Sequence, residues 1–144
     1  MDLEVNVKLV LGIFLKDFII EKNEYIRKPT LFQGNKIYDQ EGKLITEDSY
    51  ITYYHLKNYN SEEFDNIYNF LYHIQQITNL EIVFDSYFNN ILIGHKLIEF
   101  EEDEVKESEI DGKNIDARIE VIKEGLKKIG IEQEIKLLSL VYYE

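Results

Sequence analysis

The sequence predicts an α+β fold, an antiparallel sheet with two helices packed on one face, in a single domain over residues 1–144. Three observations lead there. Segments of period-two alternation recur along the chain. Two segments repeat apolar residues at intervals of three and four, as helices with one buried face do. From about residue 50 to residue 144 the elements run β-α-β-β-α-β, which matches the split β-α-β, ferredoxin-like order, with an N-terminal strand and hairpin extension ahead of it. With 144 residues and 44% apolar content, the core is large enough to offset the entropy of ordering the chain.

The first strand is predicted over Leu3 to Phe14, where Leu3, Val5, Val7, Leu9, Leu11 and Ile13 share one face. A second strand covers Phe18 to Ile26, with a turn inside it at Lys22-Asn23-Glu24. Pro29 and Gly34 mark an irregular connection. Lys36-Ile37-Tyr38 and Lys43-Leu44-Ile45 flank Asp39-Gln40-Glu41-Gly42 as a hairpin, with Gly42 at the turn exit. Tyr50 to Leu56 is rich in β-branched and aromatic residues and reads as a strand.

The first helix is expected to start near Asn60-Ser61, with Asn60 and Glu63 at capping-box spacing. Phe64, Ile67, Leu71 and Ile74 form its stripe, and Asn79 stops it. Leu80 to Phe88 and Ile91 to Phe100 read as two strands joined by a two-residue Asn89-Asn90 turn. The second helix is expected from Asn114, on Ile115, Ile119, Ile122, Leu126 and Ile129, with Gly130 as its C-terminal cap and Gly125 weakening it. Ile135 to Tyr143 closes the chain as an apolar strand.

Charge is the most uneven property of the sequence. The net charge is −12. Residues 1–58 hold 9 acids and 8 bases, and residues 113–144 hold 6 of each. Residues 59–112 hold 13 acids against Lys96 and Lys106, a net of −11. Within that stretch Glu99, Glu101, Glu102, Asp103, Glu104, Glu107, Glu109 and Asp111 form a dense run. Such self-repelling charge stays in water or faces a basic partner. It repels phosphates, which argues against direct nucleic-acid binding there.

Motifs for chemistry are lacking. The chain has no cysteine, which excludes disulfides, thiolate metal sites and a cysteine nucleophile. His55, His73 and His95 are isolated from one another in sequence, and no zinc motif is present. No phosphate-binding glycine loop or nucleophile elbow occurs. Asp85 on a predicted strand, with Glu41-x-Lys43, Glu104-x-Lys106 or Glu134-x-Lys136, would be the pieces of a metal-dependent nuclease. The 19 Glu and 14 Lys of the chain produce about two such E-x-K matches by chance, so the motif carries little weight. No catalytic residue, metal ligand or cofactor is therefore assigned.

The expected function is an acidic protein-binding module that inhibits or neutralises a basic protein by occlusion, of the immunity-protein or phage anti-defence kind. The residues expected at the interface are the acidic run from Glu99 to Asp111 together with Tyr50, Tyr53, Tyr54 and Tyr142. Tyr50, Tyr53 and Tyr54 lie on the first strand of the β-α-β-β-α-β order and Tyr142 on the last, so all are expected to share one sheet. The alternative is a small-ligand-binding or regulatory domain, and an enzyme built from scattered acids comes third. A monomer or homodimer in the cytoplasm is expected, since Met1-Asp2-Leu3-Glu4 is unlike a secretory leader and no apolar run is long enough for a membrane.

Overall fold

The computed structural model describes residues 5–59, 62–101 and 112–143. Its centre is a four-stranded antiparallel sheet with two helices against it, so the α+β class holds. β1 (Val5–Phe14) lies between β7 (Ile91–Glu101) and β8 (Lys136–Tyr143), and β6 (Glu81–Phe84) pairs with the outer side of β7. Every pairing is antiparallel, so β6 runs parallel to β1 with β7 between them, and β8 runs parallel to β7 with β1 between them. Two interleaved split β-α-β units result, the ferredoxin-like arrangement.

The opening strand of that arrangement is β1, not Tyr50–Leu56 as the element order suggested. Val10, Leu11 and Ile13 are all buried, so the middle of β1 is covered on both faces, which is the environment of a central strand. The strand holding Tyr50 is polar over its first half and pairs outside the main sheet. The place of β1 is also fixed by a glycine pair. Gly12 and Gly94 stand opposite each other, and a Cβ on Gly12 would come within 1.9 Å of the Ile93 carbonyl oxygen. Only a backbone without side chains allows so close an approach.

After β1 a short 3-10 turn, Leu15–Phe18, redirects the chain into a long arm. The arm is β2 (Ile19–Pro29) paired with β5 (Thr46–Leu56) over their whole length. At about 3.3 Å per residue, 11 residues span about 36 Å. The turn expected at Lys22-Asn23-Glu24 does not form, since these residues pair with Tyr53, Thr52 and Ile51. Pro29 ends β2, where its missing N–H costs no ladder bond. The arm's end holds β3 (Leu31–Phe32) on β4 (Asn35–Lys36) and a Tyr38–Leu44 bridge. In the turn beyond that bridge, Asp39 Oδ1 accepts from the N–H of Glu41 and of Lys43, at 2.9 Å each.

α1 (Ile67–Thr78) starts later than expected. Its cap is Asn66, whose side-chain oxygen accepts from the N–H of Tyr68 at 2.9 Å and of Asn69 at 3.1 Å. Phe64 precedes the helix and bridges to Tyr54 instead. Asn60 and Ser61 lie outside the described residues. Asn79 ends α1 in the left-handed region, as expected.

The β6–β7 connection is a six-residue turn, Asp85 to Asn90, rather than a two-residue one. Asp85 organises it by accepting from the N–H of Asn89 and the side chain of Asn90. Phe88, at φ 55, folds back to stack on Phe84 with ring centroids 4.7 Å apart. α2 (Gly112–Lys127) is followed by a turn in which the Ile131 N–H reaches the Leu126 carbonyl, with Gly130 at φ 73. The core joins Leu11, Ile13, Ile82 and Ile93 of the sheet to Phe70, Ile74, Ile122 and Leu126 of the helices.

Candidate functional site: the hairpin arm

The arm's alternation sorts its side chains into two faces. One carries Ile19, Glu21, Asn23, Tyr25 and Arg27, opposite Leu56, Tyr54, Thr52, Tyr50 and Asp48. The inner end of this face is tied to the body: Leu56 is buried, and Tyr54 stacks on Phe70 with centroids 6.1 Å apart. Burial there, with Glu21 nearby, raises the pKa of the Tyr54 hydroxyl. Thr52 donates to the Asn23 side-chain oxygen at 2.8 Å on the next rung.

Farther out, the same face is open to solvent and still ordered by its own contacts. Tyr25 and Tyr50 meet edge to face, 4.8 Å between centroids and 79° between planes. On the adjoining rung Arg27 Nε donates to Asp48 Oδ1 at 3.2 Å. Interaction with Asp48 raises the pKa of the Tyr25 hydroxyl, and Tyr25 together with Arg27 lowers that of the Asp48 carboxyl. Tyr50 is 70% exposed and Tyr25 60%. Leu31, Phe32 and Tyr38 add exposed apolar surface at the arm's end. A two-stranded ribbon is only marginally stable alone, and large exposed aromatic patches mark interaction sites.

The expected interface residues are distributed differently from the sequence reading. Tyr50, Tyr53 and Tyr54 lie on β5 and Tyr142 on β8, so they occupy two sheets rather than one. Tyr50 alone among them is widely exposed. Tyr54 faces the core, Tyr53 is half-buried on the arm's other face, and half-buried Tyr142 lies under Lys8 Nζ at 5.0 Å. Glu99 and Glu101 belong to β7, paired with Lys8 and Asn6. Glu102, Asp103, Glu104, Glu107, Glu109 and Asp111 lie outside the described residues. Tyr25, Leu31, Phe32 and Tyr38 were missed. Their strand composition was visible, but exposure depends on which neighbours fail to cover them.

Among the described residues, the groups singled out for chemistry are not brought together. Asp85 is in a turn at the β6 edge, Glu41 and Lys43 are at the arm's end, and Glu134 lies just before β8 and Lys136 at its start, on the opposite edge of the sheet. Among the described residues no group of three or more His, Asp or Glu is arranged to hold a metal ion. His73 packs on Phe64, and His95 Nδ1 lies 3.4 Å from Arg118. Burial, then Arg118, lowers the His95 pKa, against a smaller opposing effect of Glu81. A hollow of about 230 Å³ beside the end of α2 is lined by Lys123, Leu126, Lys127, Ile131, Glu132 and Gln133. No helix among the described residues is long and apolar enough to cross a membrane. Comparison with family models, curated proteins and solved structures found no match to this chain.

Proposed function

We propose that the protein is a binding module that engages another protein through the hairpin arm and acts by occluding it, without chemistry of its own. The observation that supports this is the solvent-facing Tyr25–Tyr50 pair with its Arg27–Asp48 rung, ordered before any partner arrives. Preordered aromatic anchors lose little entropy on binding, and tyrosine and arginine are the residues that dominate interface energetics. The acidic middle of the chain, net −11, favours a basic partner and speeds its approach. Aromatic contact from the arm and electrostatic attraction from the acidic run are thus separate contributions, the first to the lifetime of the complex and the second to its rate of formation.

Capture from extracts of the native host, followed by mass spectrometry, should identify a basic protein in stoichiometric amount. With that protein, the Tyr25→Ser/Tyr50→Ser variant should bind at least about tenfold more weakly, mainly through faster dissociation. Replacement of Glu101, Glu102, Asp103 and Glu104 by lysine should slow association, and more so at low salt. Unchanged affinity in both variants would sink the reading.

A further inference from the structure

We propose that β8 is a self-association edge: two copies pair their β8 strands antiparallel about a two-fold axis, joining their four-stranded sheets into one. The proposal is independent of the arm. The strand order β6-β7-β1-β8 leaves two edges on the main sheet. β6 is four residues long and opens with Glu81, two ordinary devices that blunt an edge. The arm's strands carry Glu21, Lys22, Glu24, Arg27 and Lys28 on one side and Glu47 and Asp48 on the other, the same protection by charge. β8 has eight residues, Lys-Leu-Leu-Ser-Leu-Val-Tyr-Tyr, with no proline, no acid and one charge at its first position. Among the described residues it is the long edge without a guard.

The side chains of β8 supply a second, separate observation. Leu137, Ser139, Val141 and Tyr143 point to the side of the sheet that carries the helices, because they pair with Leu11, Leu9, Val7 and Val5. The helices do not cover them: Leu137 is 60% exposed, Val141 51% and Tyr143 63%. On the other face Leu138, Leu140 and Tyr142 belong to a small cluster with Val10, Val83 and Leu92. A two-fold axis through the middle of β8 keeps each face on its own side. It sets Leu137 of one copy near Val141 and Tyr143 of the other, and continues each Val10–Leu140 cluster into its twin.

The self-matching pattern of β8 selects a second copy as the occupant, and charge at the strand does not oppose it. Two chains of net −12 repel over most of their surface, yet β8 brings no acid against an acid. Antiparallel pairing places the two Lys136 at opposite ends, at least about 20 Å apart at 3.4 Å per residue, well beyond the screening length of about 8 Å in physiological salt. One strand edge with its flanking side chains is a small interface, so affinity on the order of micromolar is expected rather than nanomolar.

Sedimentation velocity from about 1 µM to about 1 mM should show a monomer–dimer equilibrium. The Leu137→Lys/Val141→Lys variant should weaken it at least about tenfold, although four added positive charges per dimer lessen the general repulsion between copies. Far-UV circular dichroism would verify that the variant folds. If it does not, hydrogen exchange of the unaltered protein decides, since β8 amides must gain protection with concentration and β6 amides must not. The Tyr25→Ser/Tyr50→Ser variant should dimerise normally, which separates this proposal from the arm's role. A monomer at every concentration overturns the proposal. So does a lysine variant that dimerises like the unaltered chain, a dimer lost with the arm tyrosines, or β8 protection that ignores concentration.

Discussion

Gly125 lies inside α2, where alanine is normally the better residue by about 0.8–1.0 kcal/mol. Helix propensity alone therefore predicts that Gly125→Ala stabilises the protein. The tertiary contacts predict the opposite sign. A Cβ on Gly125 would lie 2.8 Å from the Thr78 carbonyl oxygen and 2.9 Å from Leu80 Cγ and Cδ1. Neither neighbour yields easily. Thr78 is held at the end of α1 by its hydroxyl, which donates to the Ile74 carbonyl at 2.7 Å, and Leu80 is 4% exposed in the core. Forcing extra volume into such a contact costs about 1–3 kcal/mol, and a rigid backbone oxygen places this case toward the upper end. Subtracting the propensity gain leaves a net destabilisation of about 1–2 kcal/mol, or a fall in Tm of about 2–8 °C at this chain length. Urea unfolding, with the slope checked for constancy, measures the difference directly. A variant as stable as the original, or more so, would show that α2 does not approach the end of α1 this closely.

Three further outcomes are expected. Asn66→Ala removes the side-chain acceptor for two N–H groups at the start of α1 and should cost about 1 kcal/mol in the same unfolding assay, whereas Asn66→Asp should cost little. Asp85→Ala removes the acceptor that shapes the Asp85–Asn90 turn, so amide exchange at Asn89 and Asn90 should accelerate while the helices stay protected. His95 has its pKa lowered in the folded state, so below the unfolded value of about 6.5 the unfolded chain takes up the proton first. The stabilisation is present above about pH 6.5 and declines as pH falls toward the folded pKa, so His95→Gln should flatten stability against pH between 5 and 7. A variant with the same slope as the unaltered protein would assign that slope to other groups.

What the residues determine locally was legible without the fold. The period-two face of Val5, Val7, Leu9, Leu11 and Ile13, the stop at Asn79, the cap at Gly130 and the turn at Asp39–Gly42 all depend on neighbours a few positions away, and each forms as expected. The excess of acid between residues 59 and 112 is likewise a property of the sequence alone. Where local preferences were close to balanced, tertiary pairing decided. Lys22-Asn23-Glu24 carries turn residues but continues as strand because Tyr53, Thr52 and Ile51 lie opposite. Asn89-Asn90 suits a short turn, yet the Phe84–Phe88 stack and the Asp85 carboxylate favour a longer one. Which strand opens the β-α-β-β-α-β order could not be read from order alone, because β1 and β5 are both plausible strands. β1 takes the centre since its middle can be buried on both faces and Gly12 meets Gly94, while the polar first half of β5 leaves it in the arm. That choice also separates Tyr50 from Tyr142 and exposes Tyr25. Composition thus fixes which residues are able to serve an interface, and burial by residues distant in sequence decides which of them remain available.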